Sequence, residues 1–229
     1  MIASAGNLSA TQSIIHLLQE GFENPDTKSI ERLIDCPTMF EAAQMIGRAV
    51  RRIHDVEGAS YAQNQVNFDV SFLFGGQIGD DEMRLFLIYA AGNFIECGQD
   101  APFFQIGEYK YGKPVLDRVL TPDTPLNEAA KCALVSMDST LKSNLSVGLP
   151  LDMVVYQADT FASDQVLCID EHNAYFHMLR TSWGEKLRQA FDTLGDPMWN
   201  NEPTPVPLVT PSAKSRALKK IQNSSDKLI

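Results

Sequence analysis

The stretch Val66-Asn67-Phe68-Asp69-Val70-Ser71-Phe72-Leu73-Phe74-Gly75-Gly76 decides the fold. Its apolar residues alternate with polar ones, then run on through Phe72, Leu73 and Phe74 to a glycine pair. A period of two marks a β-strand with one buried face, here expected over 66–76. Gly79-Asp80-Asp81-Glu82 is a turn, Met83–Tyr89 a second strand, and Ala91-Gly92-Asn93 a turn into Phe94-Ile95-Glu96. Three strands joined by short polar turns form an antiparallel meander.

Helical periods flank this centre. Ile2-Ala3-Ser4-Ala5-Gly6 reads as the end of a strand entering a turn. Thr11, Ile14, Ile15 and Leu18 recur at threes and fours, predicting a helix capped by Ser9 and ended by Gly21. A short helical piece carries Ile30 and Ile34. Thr38-x-x-Glu41 is a capping box, and an amphipathic helix follows as far as Gly58. After the meander, Phe103–Gly107 reads as a short strand and 111–120 as a helix. Thr124-Pro125 starts a longer helix to about Ser143, with threonine as cap and proline in the first turn. Leu151–Gln157 and Val166–Ile169 are strands, and Asn173 to about Leu194 is the last helix. Helices outside antiparallel sheets give an α+β fold, a four-layer α-β-β-α sandwich. Such a fold opens with strands, and here the first strands are expected to be missing.

Composition narrows the classes. With 44% hydrophobic and 21% charged residues, the 229-residue chain is neither disordered throughout nor a disulfide scaffold. Its net charge of −10 speaks against nucleic acid as a partner, since phosphate binding needs cations. No apolar run approaches the ~20 residues of a membrane span, and no secretory signal opens the chain. Cys36, Cys97, Cys132 and Cys168 form no CxxC pair and lie beside no histidine at ligand spacing, so inert thiols in a reducing cytoplasmic setting are expected, with no metal and no cofactor. Residues 1–199 are expected to form one domain. The Pro-rich, then basic segment 200–229 is expected to be a flexible tail.

No phosphate loop, nucleophile elbow, metalloprotease motif or dinucleotide fingerprint occurs. Two polar stretches remain. Ser136-Met137-Asp138-Ser139-Thr140-Leu141-Lys142-Ser143-Asn144-Leu145-Ser146-Val147-Gly148 joins a helix to a strand. Its hydroxyls either satisfy backbone groups at the helix end or orient a nucleophile supplied from elsewhere. Gln105-Ile106-Gly107-Glu108-Tyr109-Lys110-Tyr111-Gly112-Lys113-Pro114 borders a sheet, where clefts form.

On these two stretches, with Phe68–Ile78 and Asp117–Thr124, the chain from about Ala5 to Trp199 resembles the bacterial proteasome homologues known as Anbu, relatives of the proteasome beta subunits. The resemblance implies an N-terminal-nucleophile hydrolase, a threonine peptidase acting on peptides or unfolded proteins. It further implies a homo-oligomeric ring or open helical stack, with no membrane partner. In such enzymes an N-terminal threonine attacks, its own amine and a lysine take the proton, and a backbone N–H near a glycine holds the oxyanion.

The family begins with Met-Thr, two strands and the lysine, all before the turn at Ser4-Ala5-Gly6-Asn7. The chain is therefore expected to lack the nucleophile and its lysine, and to be inactive as written. Met1 offers a thioether, which is no nucleophile for acyl transfer. Matching the proteasome pattern Asp-x-x-Ser-Gly puts Ser143 at the aspartate and Ser146 at the serine, with Val147 in place of the glycine. These two are supporting residues. Gly107, Glu108 and Lys110 match the loop that lines the cleft. The competing reading is a non-catalytic structural subunit packing against active homologues.

Overall fold

A computed structural model describes residues 1–162 and 165–197. Two compact units divide at Ser182 and Trp183. The first holds a four-stranded antiparallel sheet in the order β1 (Ile2–Gly6), β4 (Val70–Gly76), β5 (Arg84–Ile88), β6 (Phe94–Glu96). Ser4 lies opposite Phe72, Phe72 opposite Ile88, and Ile88 opposite Phe94.

The alternation of β4 and β5 sets the core. Val70, Phe72, Phe74, Phe86 and Ile88 are buried on one face, against helices α1 (Leu8–Glu20) and α2 (Met39–Gln63). α1 contributes Ala10, Ile14 and Leu18, and α2 a stripe from Met39 to Val50. α2 comes so close to the β5–β6 turn that a Cβ on Gly47 would lie 2.2 Å from the Gly92 carbonyl oxygen. Arg51 Nη1 donates to that same carbonyl at 2.8 Å. The opposite face of the sheet, with Ala3, Leu73 and Leu85, lines an open cleft of about 660 Å³.

Beyond the sheet come α3 (Lys113–Val119), α4 (Leu126–Ser143), the antiparallel pair β7 (Leu151–Val155) and β8 (Gln165–Ile169), and α5 (Ala174–Asp192). Gln77 ties the glycine-rich turn after β4 to the segment after β7. Its Oε1 accepts from Asp159 N at 2.8 Å and Tyr156 Oη at 3.3 Å, and its Nε2 donates to Asp159 Oδ1 at 2.7 Å. The chain is thus α+β, as its periodicity implies. Among the described residues, no helix is long and apolar enough to cross a membrane.

Several local expectations are corrected. The strand begins at Val70, not Val66, because Asn67 and Asp69 give their carbonyls to the side chain and backbone N–H of Asn7. Asn7, not Ser9, caps α1, accepting from Ala10 N at 3.1 Å. α2 passes through Gly58 to Gln63. One glycine costs a helix only about 1 kcal/mol, and here Tyr61 Oη donates to Glu57 while His54 and Tyr61 pack on Phe68. Residues 30–35 form a two-residue strand, β3 (Ile30–Glu31), paired with β2 (Phe22–Glu23), then a single 3-10 turn. The stretch 103–107 has no ladder partner: the chain folds back at the Gly98–Ala101 bridge, and Pro102 has no N–H to give. Pro125 stands at the N-cap of α4, and Thr124 Oγ1 instead accepts from Thr121 N at 2.8 Å. Thr38 does cap α2, accepting from Glu41 N at 3.2 Å. Cys132 is buried and Cys36 and Cys97 half-buried, but Cys168 is exposed. Residues 198–229, with all of the expected tail 200–229, lie outside the described residues.

Candidate functional site

The hydroxyl-rich stretch splits at the end of α4. Ser139 Oγ donates to Val135 O and Thr140 Oγ1 to Ser136 O, both at 3.1 Å, so these hydroxyls are spent on the helix's own carbonyls. Ser136 and Thr140 also face α3 across Gly112, where a Cβ would lie 2.2 Å from Ser136 Oγ. Asp138 is buried on the same helix, and Arg180 Nε of α5 donates to its Oδ1 at 2.6 Å.

Past the helix the polar groups turn outward. Asn144 closes α4, its N–H donating to Thr140 O at 2.9 Å. Its Oδ1 accepts from Ser146 N at 2.8 Å and Ser146 Oγ at 2.7 Å. An asparagine whose side chain bonds the backbone two residues on fixes a turn. Asn144 Nδ2 donates to Glu108 Oε2 at 3.0 Å, and Lys110 N donates to Glu108 Oε1 at 3.3 Å. One asparagine thus joins the two stretches that the sequence singles out. Gly107, at φ +72°, makes the bend that a side chain would strain, and a Cβ there would touch Ala5 of β1 at 3.4 Å. Gln105 Oε1 is buried without a partner among the described residues.

Of the expected site residues, Gly107, Glu108 and Ser146 come together. Lys110 joins through its backbone only. Ser143 is exposed on the last turn of α4, outside the network of Asn144. The sequence reading passes over Asn144, although Asn-x-Ser after a helix is a signal for such a turn.

The geometry limits the chemistry. The Ser146 hydroxyl proton goes to an amide oxygen, which is no base, so Ser146 is not set up to attack. Its lone pairs stay open toward solvent, and they can accept from an ammonium or N–H placed beside the loop. Glu108 holds the neighbouring segment and adds a carboxylate.

Among solved structures, the chain is similar to Anbu from Hyphomicrobium sp. strain MC1, at 45% identity over 86% of this chain and 80% of that one, with a TM-score of 0.76. It is similar to Anbu (ancestral beta-subunit) from Yersinia bercovieri, at 47% identity, the same coverages and a TM-score of 0.76. The helical assembly of the Anbu complex from Pseudomonas aeruginosa matches at 39% identity over 88% of this chain and 81% of that one, with a TM-score of 0.78. No family model matches the chain, and no curated protein matches it.

Proposed function

The chain belongs to the Anbu family, and from that premise we propose that it is a subunit of a proteasome-type threonine peptidase, a homo-oligomer that hydrolyses peptide bonds. The four-layer α-β-β-α sandwich is part of the same reading. The observation that carries it is the bridge from Ser146 through Asn144 to Glu108, beside Gly107 and Ala5. It leaves the Ser146 hydroxyl as an open acceptor, suited to hold the ammonium of an N-terminal nucleophile. A free α-amine titrates near ~8, so it serves as base at neutral pH once a hydroxyl acceptor orients it.

Ser146 is then a positioning residue, and Glu108 a wall of the cleft. Ser143 stands at the family's aspartate position without a charge. Met1 is not the nucleophile, since a thioether does not attack acyl groups.

N-terminal sequencing and peptide hydrolysis on the protein purified from its native cells test this. Turnover by a species with threonine first, slowed ~100-fold by Ser146→Ala, supports the reading. Turnover by the 229-residue chain itself, abolished by Ser146→Ala, overturns it. The structural-subunit alternative predicts neither.

A further inference from the structure

The two polar stretches of the site meet a second time, one turn away from the hydrogen bond between Asn144 and Glu108. Gly112 opens α3 and is buried against α4. A Cβ there would lie 2.2 Å from Ser136 Oγ, 2.9 Å from Ser136 O and 3.0 Å from Thr140 Oγ1. Ser136 and Thr140 are each 2% exposed, so the space they would need to give way is already filled. The backbone of Gly112, at φ −88° and ψ −34°, is one that any residue adopts. Glycine stands there for the space it leaves, not for its dihedral freedom.

This contact and the Asn144–Glu108 hydrogen bond are two rungs of a closed frame. Along one side, Lys113 N donates to Tyr109 O at 2.9 Å and holds the turn from Glu108 to Gly112. Along the other, Asn144 N donates to Thr140 O at 2.9 Å in the last turn of α4. Asn144 Nδ2 closes one end on Glu108 Oε2, and Gly112 closes the other on Ser136 and Thr140. Ser146 hangs from the Asn144 corner, through Asn144 Oδ1. The width of the frame at Gly112 therefore sets its width at Asn144.

We propose that Gly112 is a positioning residue for the peptidase site: it fixes how closely the Glu108 turn approaches α4, and through Asn144 where the Ser146 hydroxyl stands. The proposal rests on the peptidase reading and adds to it a residue that acts only through others. Ordinary contact begins at about 3.5 Å, so a methyl at Gly112 wedges the frame open by up to about 1 Å. A displacement of that order costs a catalytic site about tenfold or more in rate.

Hydrogen exchange on the whole chain, and peptide hydrolysis by the protein purified from its native cells, test it together. In Gly112→Ala the Ser146 amide exchanges about tenfold faster, or more, than in Gly47→Ala, which also overpacks a backbone contact but lies outside the frame. Its kcat falls about tenfold or more while KM stays within about threefold. Adding Ser136→Ala removes the nearest atom and recovers part of both losses. That double variant, still above wild type in Ser146 exchange, carries the test if circular dichroism shows Gly112→Ala unfolded. Ser146 exchange no faster in Gly112→Ala than in Gly47→Ala, or no recovery in the double variant, overturns the frame. Unchanged turnover in a variant with fast Ser146 exchange overturns the positioning role. Wild-type protein without turnover overturns the peptidase reading, and with it any part for Gly112 in catalysis, whereas the exchange result stands apart from it.

Discussion

Arg180 of α5 is hydrogen-bonded to Asp138 of α4, Nε to Oδ1 at 2.6 Å, with the carboxylate only 1% exposed. Lys142 Nζ stands 3.9 Å from the other oxygen, too far to donate, and that oxygen is buried without a partner. A charge is thus held inside the protein by a single strong contact. The same helix ends six residues later at Asn144, so whatever loosens α4 also moves the Ser146 turn.

Arg180→Leu is expected to destabilise the fold by about 3 kcal/mol, because breaking a buried pair leaves its other member uncompensated. Asp138→Leu combined with Arg180→Leu should cost less than Arg180→Leu alone, since it removes both charges together. Urea denaturation of the two variants checks the order. The reverse order would mean that the pair stabilises the fold in its own right.

Gly47→Ala is expected to cost about 1–3 kcal/mol, the usual penalty of overpacking. The added methyl meets the Gly92 carbonyl at 2.2 Å, and both partners are backbone, so no rotamer change relieves it. Gly184→Ala, inside α5 with open space around it, serves as the comparison and should gain about 0.5–1 kcal/mol, since alanine suits a helix better than glycine. Thermal melts of both variants decide whether the contact or the residue type matters.

What the sequence could show depended on how local each signal was. The alternation within 66–76 and the Thr38 cap rest on near neighbours, and the structure keeps the cap and the strand from Val70 to Gly76. Asn7 as a cap and the late start of β4 share one cause: Asn7 binds Asn67 and Asp69, which are 60 residues away. The run 103–107 has strand-forming residues but no ladder partner among the described residues, which periodicity cannot reveal. Asn144 was hidden for a different reason. Its role is to join Glu108, 36 residues earlier, and only the fold brings the two stretches together.

Arg84 and Glu96 pair across the β5–β6 edge, Nε to Oε1 at 2.5 Å and Nη2 to Oε2 at 2.6 Å. The hydrogen bond from Arg84 holds the Glu96 carboxyl below its ordinary value, with burial opposing. A carboxyl depressed in the folded state adds stability above its unfolded value, near ~4.3, and loses that contribution as pH falls through the folded value. Both side chains are at least 30% exposed, so the gain stays below about 1 kcal/mol. Arg84→Met should therefore be less stable than wild type at pH 7, with the gap closing in acid. A gap that is constant from pH 7 to pH 3 would assign the loss to packing of Arg84 over Phe86, not to the ion pair.

Asn144→Ala removes three hydrogen bonds at one stroke, two to Ser146 and one to Glu108, and with them the turn they define. The site is largely exposed, so water takes over most of the lost partners and the fold should lose only about 1 kcal/mol. The local effect should be far larger than the global one. The Ser146 amide, now without its acceptor, is expected to exchange its hydrogen at least tenfold faster, while the buried amides of β4 and β5 change no more than the small global loss requires. Asn144→Asp separates the two halves of the network. Its carboxylate still accepts from Ser146 but repels Glu108, so the Ser146 amide should stay protected while the 107–110 segment loosens. Equal exchange at both places in that variant would show that the two loops move as one body, and that Asn144 does not link them as separate parts.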